Sequence, residues 1–317
     1  MADEYSNGVR NWERAVIEKL ASSALAEQRK ARYWGILFKL LTFGYLFFLL
    51  FLAMGWIGSR DAVRPGEHSA LVEVSGIIGP GSTANADDVM AGLRDAFKAK
   101  GTQGIILRIN SPGGSPVQAA TINDEIGRLR SMHPDIPVYA VVEDVCASGG
   151  YYVAVAADRI YVDKASIVGS IGVLMDGFGF TGTLEKLGVE RRLLTSGDNK
   201  GFLDPFSPLE PGQRQHALQI LDDIHQQFID AVRAGRGERL KESPEVFSGL
   251  VWTGQRSIDM GLADALGGVD FVAREVIRAE HIVNFTRREN FAERLVRRFG
   301  AAVGEAIVSS VGPVSVR

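Results

Sequence analysis

A long uncharged run, "LLTFGYLFFLLFLAMGWIG", extends from Leu40 to Gly58 and limits how this chain can fold. A helix that crosses a bilayer needs about 20 predominantly apolar residues, which is close to the length of this run. A buried core helix is also apolar, but here large apolar residues occur on every face. A cleaved signal peptide fits poorly, because the whole of 1–39 precedes the run and its apolar core is too long. We therefore predict a transmembrane anchor at residues 40–58.

Flanking charges predict the orientation of this anchor. Four Lys or Arg side chains lie in the segment 20–39 before the run, and two lie in the equally long segment 59–78 after it. The excess predicts a cytoplasmic N-terminus and places the rest of the chain outside the cytoplasm. The net charge of −3 at pH 7 shows no basic excess, so we expect no nucleic-acid partner. The one cysteine, Cys146, excludes a disulfide within the chain.

Beyond a polar linker, strand-like and helix-like segments alternate along the chain. This alternation predicts an α/β fold, with a mainly parallel sheet covered by helices. One long helix is predicted at 210–235, because its apolar residues recur at spacings of three and four on one face. Those residues are Leu218, Leu221, Ile224, Phe228, Ile229 and Val232. The strands are predicted at 70–78, 104–110, 136–143, 159–162 and 166–175, and the other helices at 86–100, 116–131 and 149–157.

The predicted domain organisation follows from these segments. Residues 283–317 read as an amphipathic helix or tail, which could lie on a membrane, pack on another subunit or remain solvated. The remaining divisions are a cytoplasmic N-terminal segment at 1–39, the anchor at 40–58, a linker at 59–68 and the α/β domain at 69–282.

The stretch "VYAVVEDVCASGGYYVAVAAD", residues 138–158, contains the first candidate for chemistry. Ser148 stands where a predicted strand turns into a helix, and the N–H of Gly149 then lies at the start of that helix, where negative charge is stabilised. A serine hydroxyl needs a base to act as a nucleophile. A histidine could approach it in the fold, or a lysine that has been discouraged from carrying its charge. The same residues are equally consistent with an ordinary small-residue turn.

A second glycine-bearing stretch, "RINSPGGS" at residues 108–115, also joins a predicted strand to a predicted helix. Gly113 and Gly114 can expose backbone N–H groups there, because no Cβ shields them. The stretch can equally be a Gly-rich β–α turn with no chemical role. Spacing alone leaves both interpretations open.

Metal and nucleotide chemistry find little support in the sequence. The five histidines form no ligand pair at a spacing of four with an intervening Glu. A G-x-G-x-x-G pattern occurs at residues 177–182, but it falls late in the α/β region and carries two phenylalanines. We therefore expect neither a metal nor a cofactor.

Taken together, four motifs resemble the bacterial signal peptide peptidase A family in its half-length form. They are "NSPGG" at 110–114, "ASGGYYVA" at 147–154, "GSIGV" at 169–173 and "TSGDNKGFLDPFSP" at 195–208. The resemblance spans residues 70–275 with the motifs in the family's order. It implies the fold shared by Clp proteases and crotonases, a repeated ββα spiral, with an N-terminal transmembrane helix and a helical C-terminal region.

The resemblance also implies a serine endopeptidase that works through a Ser/Lys dyad. In it Ser148 is the nucleophile and Lys200, in the last of the four motifs, is the general base. Ser170 orients the lysine through a hydrogen bond. Asp198 beside Lys200 departs from the family pattern, and its carboxylate would favour the charged lysine. The oxyanion donors implied by the resemblance are Gly113 or Gly114, together with Gly149.

Partners and location are implied in the same way. The substrates would be apolar peptides, above all remnant signal peptides in the bilayer. The chain would form a homo-oligomer of about eight subunits, in which the serine and the lysine meet across a subunit boundary. The location implied is the bacterial inner membrane, with a single span and an extracytoplasmic catalytic domain. Alternatives are a related Ser/Lys peptidase acting on another membrane or regulatory protein, a crotonase-like acyl-CoA enzyme, and a non-catalytic oligomeric scaffold.

Overall fold

The computed structural model describes residues 19, 27–30, 32–51 and 66–287. The chain divides into two units, one formed by Met1–Ala62 with Glu289–Arg317 and the other by Val63–Arg288. Several predicted features lie outside the described residues: most of the N-terminal segment, the end of the anchor, most of the linker, and the C-terminal tail from residue 288 onward.

The first unit contains helix α1, Glu27–Phe51. It is long and apolar enough to cross a membrane by length and composition, and nearly all its described side chains are exposed. The helix begins before the predicted anchor and includes the first part of it, from Leu40 to Phe51. The rest of that prediction, 52–58, lies outside the description.

The second unit is built on one eight-stranded sheet with the order β6-β5-β3-β2-β1-β8. Strand β4 pairs with β3 and β7, and every pair is parallel except β5–β6. The strands are β1 His68–Ser75, β2 Thr102–Ser111, β3 Val138–Ala147, β4 Arg159–Val162, β5 Ile167–Gly169, β6 Val251–Thr253, β7 Ala265–Leu266 and β8 Ile282–Asn284. The helices are α2 Ala86–Lys98, α3 Pro116–Met132, α4 Gly149–Ala154, α5 Thr181–Lys186, α6 Pro211–Arg236, α7 Gly254–Asp259 and α8 Val269–Phe271, followed by a π-helix at Val272–Ile277. The predicted α/β class is confirmed.

Alternating side chains of the central strands serve two cores. In β1, Ala70, Val72 and Val74 belong to the larger core, whereas Leu71 belongs to the smaller one on the opposite face. This is the period of two that a strand imposes on its side chains. Because both faces are covered, the strands read as nearly continuous apolar runs.

Strand β3 forks, and the fork positions the candidate site. Residues Tyr139–Val141 pair with β4, whereas Val145–Ala147 pair with β5. A register shift on the other side of β3, between Ile109 and Ser111 of β2, accompanies the change of partner. The C-terminal ends of β2, β3 and β5 consequently meet at one edge of the sheet, where ligands of parallel α/β sheets bind.

The structure differs from the sequence predictions in three places. Only Ile167–Gly169 of the predicted strand 166–175 is a strand, because the chain leaves the sheet at Ser170, where φ is +52°. In α6, Phe228 and Val232 are buried but Leu218 is half exposed, since no described element covers the first half of the helix. Strand β8 lies across the predicted boundary at residue 283 and adds a strand to the sheet beside β1.

A buried carboxylate joins α2 to α3. Glu125 accepts hydrogen bonds from Arg128 Nε at 2.7 Å and Nη2 at 2.8 Å, and from Arg94 Nε at 2.6 Å. The hydrogen bonds from Arg128, and then the one from Arg94, lower the pKa of Glu125 to about 2 despite the opposing effect of burial. The carboxylate therefore stays charged, and it holds together the two helices that cover the larger core.

We expect Glu125→Gln to lower the free energy of unfolding by about 1–2 kcal/mol at pH 7, because two arginines lose a charged partner. The pKa of Glu125 is lower in the folded state than the ordinary 4.5, so its stabilisation is complete above pH 4.5 and disappears as the pH falls toward 2. Denaturation of the wild type and the variant at pH 7 and near pH 2 measures the loss in the free energy of unfolding at each pH. Glu185→Gln, on exposed α5, is the control and should leave the free energy of unfolding unchanged at both pH values. A loss that is equal at the two pH values would contradict the assignment.

Candidate active site

Ser148 occupies a strained corner between β3 and α4. Its φ of +51° and ψ of −124° lie outside the regions that a residue with a side chain prefers. The backbone holds this conformation: the Ser148 N–H donates to the Gly169 carbonyl at 2.8 Å, and the Ser148 carbonyl accepts from Tyr152 N at 3.0 Å. Strain of this kind costs on the order of 1–3 kcal/mol and persists where the surroundings enforce it, which is often at a functional site.

The loop that carries Gly113 and Gly114 lies directly against this corner. The φ angles of the two glycines are +102° and +147°, so a side chain at either position would be strained. A Cβ on Gly113 would lie 2.6 Å from the Ser148 Cβ, and a Cβ on Gly114 would lie 2.0 Å from the Ile78 carbonyl oxygen. Ile78 anchors the loop, because its N–H donates to Gly113 O and its carbonyl accepts from Ser115 N, each at 2.8 Å. Both glycines are therefore required by close backbone approach.

Two of the three candidate oxyanion donors are available. The Gly113 N–H already donates to Ser111 Oγ at 3.1 Å. Among residues 66–287, no hydrogen bond engages the N–H of Gly114 or of Gly149. A Cβ on Gly149 would lie 3.2 Å from Gly114 N, so the two backbone segments are neighbours. The pair can bind developing negative charge beside the serine.

Ser170 is brought to the same place by the fork of β3. It follows Gly169, the residue whose carbonyl accepts from Ser148 N, and its own N–H donates to Leu250 O at 2.7 Å. The next residue is also fixed, because His225 Nε2 on α6 lies 3.1 Å from the Ile171 carbonyl oxygen. Neither serine hydroxyl has a hydrogen-bond partner in the part of the chain that the structure describes.

These residues line a groove of about 840 Å³. Ser148, Ser170, Gly114 and Gly149 all face it. Its walls are mainly apolar and come from α3, α4, α6 and the segment after Ser170. The apolar wall residues include Val117, Ala120, Tyr152, Val173, Leu174 and Phe228. Such a groove suits an extended apolar chain presented to a serine.

Lys200 is not brought to Ser148 within this chain. It is exposed, it lies in the loop between α5 and α6, and it does not line the groove. Its backbone N–H donates to Gly197 O at 3.1 Å in a local turn. Within the described residues, no ion pair joins Lys200 to Asp198. The chain by itself therefore assembles the serines and the glycines of the predicted site, but not the lysine.

Two other sequence motifs contribute nothing to the site. Cys146 is fully buried beneath the corner, and burial raises the pKa of its thiol far above the ordinary range. The G-x-G-x-x-G stretch forms an exposed segment that leads into α5, and its glycines have open space where a Cβ would lie. It does not follow a strand, as a dinucleotide-binding turn would.

Sequence reasoning missed the residues of α3 that line the groove. Val117, Ala120, Thr121 and Asp124 are spaced as i, i+3, i+4 and i+7, and all four face the groove. That spacing was visible in the sequence. Which face of α3 turns toward Ser148 depended on how the helix packs against α4.

A serine held in a strained strand-to-helix corner, beside two free N–H groups and an apolar groove, is the arrangement of an acyl-transfer enzyme. Comparisons with known proteins agree, since the model of peptidase family S49 matches residues 131–282. A candidate protease of Synechocystis is 33% identical over 198 residues, which cover 62% of this chain and 69% of that protein. The chain belongs to peptidase family S49, the signal peptide peptidase A family.

Two further relatives are longer proteins, and this chain matches only a part of each. The chloroplastic serine protease SPPA of Arabidopsis thaliana is 32% identical over 68% of this chain and 32% of its own length. A Na(+)/H(+) antiporter NhaA of Brucella melitensis is 48% identical over 55% of this chain. The chain spans about a quarter of that antiporter's length, as the match covers 24% of it. Among solved structures, a mutant of ClpP1 from Listeria monocytogenes matches with a TM-score of 0.39 and 15% identity, over 62% of this chain and 91% of that one.

We expect Gly113→Ala to destabilise the chain by about 1–3 kcal/mol, because the new methyl group would meet Ser148 and the backbone would be strained at a φ of +102°. Thermal unfolding followed by circular dichroism measures the change. Gly127→Ala is the matched control, since this glycine lies within α3 with open space around it and alanine favours helices. Equal melting temperatures for Gly113→Ala and the wild type would contradict the close approach.

Proposed function

We propose that this protein is a membrane-anchored serine endopeptidase that cleaves apolar peptides with Ser148 as nucleophile and Lys200 as general base. The observation that carries the proposal is the corner at Ser148, where the serine stands beside the free N–H groups of Gly114 and Gly149 at an apolar groove. The family to which the chain belongs supports proteolysis.

In the proposed reaction, the neutral amine of Lys200 accepts the proton of Ser148 Oγ as that oxygen attacks the scissile carbonyl carbon. The carbonyl oxygen becomes an oxyanion. As the tetrahedral intermediate collapses, the C–N bond breaks and the Lys200 ammonium donates its proton to the leaving amine. A water molecule then attacks the acyl-enzyme, gives a proton to Lys200 and releases the acid. The same proton returns to Ser148 Oγ.

The N–H groups of Gly114 and Gly149 would bind the oxyanion in both steps. Gly149 is the first residue of α4, so its N–H has no partner inside the helix. Removing one donor of this kind typically costs about 10²–10³ in kcat. The unpartnered state of both groups supports this role, and Gly113 would contribute through its shape.

Lys200 would come from a neighbouring subunit in a homo-oligomer, which we picture as a ring of about eight copies. Two observations support this arrangement. Lys200 does not line the groove of its own chain. The segment 174–209 that carries it also exposes large apolar side chains, including Leu194 at 96% and Phe178 at 80%, which a second copy would cover. Ser170 would then orient the incoming amine.

The proposed substrates are apolar peptides in or near the bilayer, above all remnant signal peptides. The apolar walls of the groove and the bilayer-length helix α1 support this choice. We place the protein in the bacterial inner membrane, with a cytoplasmic N-terminus and the catalytic domain on the outer side. An anchor in the substrate's own membrane would raise the local concentration of substrate at the groove.

Ser148→Ala and Lys200→Ala should each abolish cleavage of an apolar fluorogenic peptide. If the dyad forms between neighbours in a ring, mixing the two inactive variants by co-expression should restore about a quarter of the wild-type rate, because each site needs one intact serine and one intact lysine from different chains. Lys164→Ala, in the exposed turn between β4 and β5, is the control and should retain full activity. Cleavage by Ser148→Ala at the wild-type rate would disprove the proposal. Two inactive variants that remain inactive when mixed would restrict the dyad to one chain.

The orientation can be tested in spheroplasts that express the full chain with an epitope tag at each end. Externally added proteinase should digest the domain of residues 66–287 and spare the N-terminal tag, because that tag lies in the cytoplasm. Lysed spheroplasts show that both parts can be digested. Protection of the domain in intact spheroplasts would reverse the predicted topology.

A further inference from the structure

The described residues that face the groove carry one formal charge in an otherwise apolar and neutral lining. Among these residues of the range 66–287, only Asp124 has a charged side chain. Asp124 is on α3, two helical turns beyond Val117, on the face that forms a wall of the groove. In ligand grooves the apolar walls contribute affinity, while a few polar groups determine which ligand fits.

No cation of the described chain neutralises Asp124. Arg128, one turn along the same helix, is paired with Glu125 instead. Asp230, on the facing helix α6, already has Arg233 within 4.0 Å. Among residues 66–287, Asp124 takes part in no ion pair and no side-chain hydrogen bond. Its charge is therefore available to a ligand.

The Asp124 carboxylate lies near the segment that carries Ser148 and Gly149. The Cβ of Ala119 on α3 would lie 3.4 Å from a Cβ on Gly149, so α3 passes directly beside the oxyanion donor. Asp124 is five residues further along, or about 8 Å at 1.5 Å per residue. Asn123 Nδ2 donates to the Tyr152 carbonyl at 2.7 Å, which fixes α3 against α4 at this level. Burial, and then the negative charges of Asp124 and Asp230, raise the pKa of Tyr152, as expected if Asp124 faces the same space.

We propose that Asp124 is a specificity-determining residue, which selects peptides that carry a Lys or Arg side chain within an otherwise apolar sequence. The three or four methylenes of such a side chain would lie along Val117 and Ala120, while its charged end reaches the carboxylate. This inference rests on the proposed function, since it assigns a preference to the same groove. It narrows the substrate class from apolar peptides to apolar peptides with one cation near the scissile bond.

The experiment compares two peptide series in which either Lys or norleucine replaces one residue at a time around the scissile bond of an apolar fluorogenic peptide. For the wild type, one position should favour Lys over norleucine in kcat/KM. Asp124→Asn should reduce that preference about threefold, the range of a solvent-exposed ion pair, and Asp124→Lys should reverse it. The preference should also weaken in high salt. Asp135→Asn, beyond the far end of α3, removes an equal charge outside the groove and should keep the wild-type ratio.

Binding provides a readout that does not depend on catalysis. In the Ser148→Ala background, fluorescence anisotropy of the same labelled peptides should give a lower Kd for the Lys peptide, and Asp124→Asn should remove this difference. If the Lys/norleucine ratio of kcat/KM is the same for the wild type and Asp124→Asn at every position, the inference about Asp124 is overturned but the peptidase activity stands. If the wild type cleaves none of the peptides while Ser148→Ala still binds the Lys peptide more tightly than the norleucine peptide, the proposed function is overturned and the role of Asp124 is supported. If the chain neither cleaves nor binds any of the peptides, both the proposed function and the inference fail.

Discussion

The candidate site depends on the hydrogen bond from the backbone N–H of Ser148 to the carbonyl of Gly169. This bond continues the pairing of β3 with β5 by one residue beyond the last strand pair, Ala147 with Gly169. It holds a residue with a side chain at a positive φ, and it joins Ser148 to the residue before Ser170. Since the Gly113–Gly114 loop packs against the same corner, three separate segments are positioned by one edge of the sheet.

The fork of β3 makes this bond possible. If β3 paired with β4 along its whole length, β5 would not reach Ala147, and Ser170 would lie elsewhere. At the opposite end of β3, a polar network contacts the start of β4. There the buried Arg236 donates to both oxygens of Asp264 at 2.8 and 2.9 Å, and Asp264 also accepts from Ile160 N at the start of β4. A buried pair of this kind stabilises only when its hydrogen bonds are satisfied, as they are here.

Much of the fold could be predicted from periodicity and turn residues. The helices α2 and α3 and the central strands were found to within a few residues, because their apolar patterns and their Gly or Pro boundaries agree. The predicted length of strand β5 is too great, because the residues after Gly169 remain mostly apolar although the chain has left the sheet. The apolar face predicted for α6 is buried at Phe228 and Val232 in its second half, whereas Leu218 in its first half is half exposed, because no described element of its own chain covers that part. A local apolar pattern indicates which residues would be stabilised by burial. It does not indicate whether the same chain provides the residues that cover them.

The amino-acid sequence alone predicts most of the elements, the strand-to-helix corner at Ser148, the glycine loop and a helix long enough to cross a bilayer. These features are local, since they follow from the residue types and spacing within a few turns of chain. The assignment of Lys200 came only through resemblance. Which segments meet depends on the tertiary structure. The N–H of Gly113 is occupied while those of Gly114 and Gly149 are free, Lys200 lies outside its own groove, and Asp124 faces that groove. Each of these depends on the packing of residues that are distant in sequence.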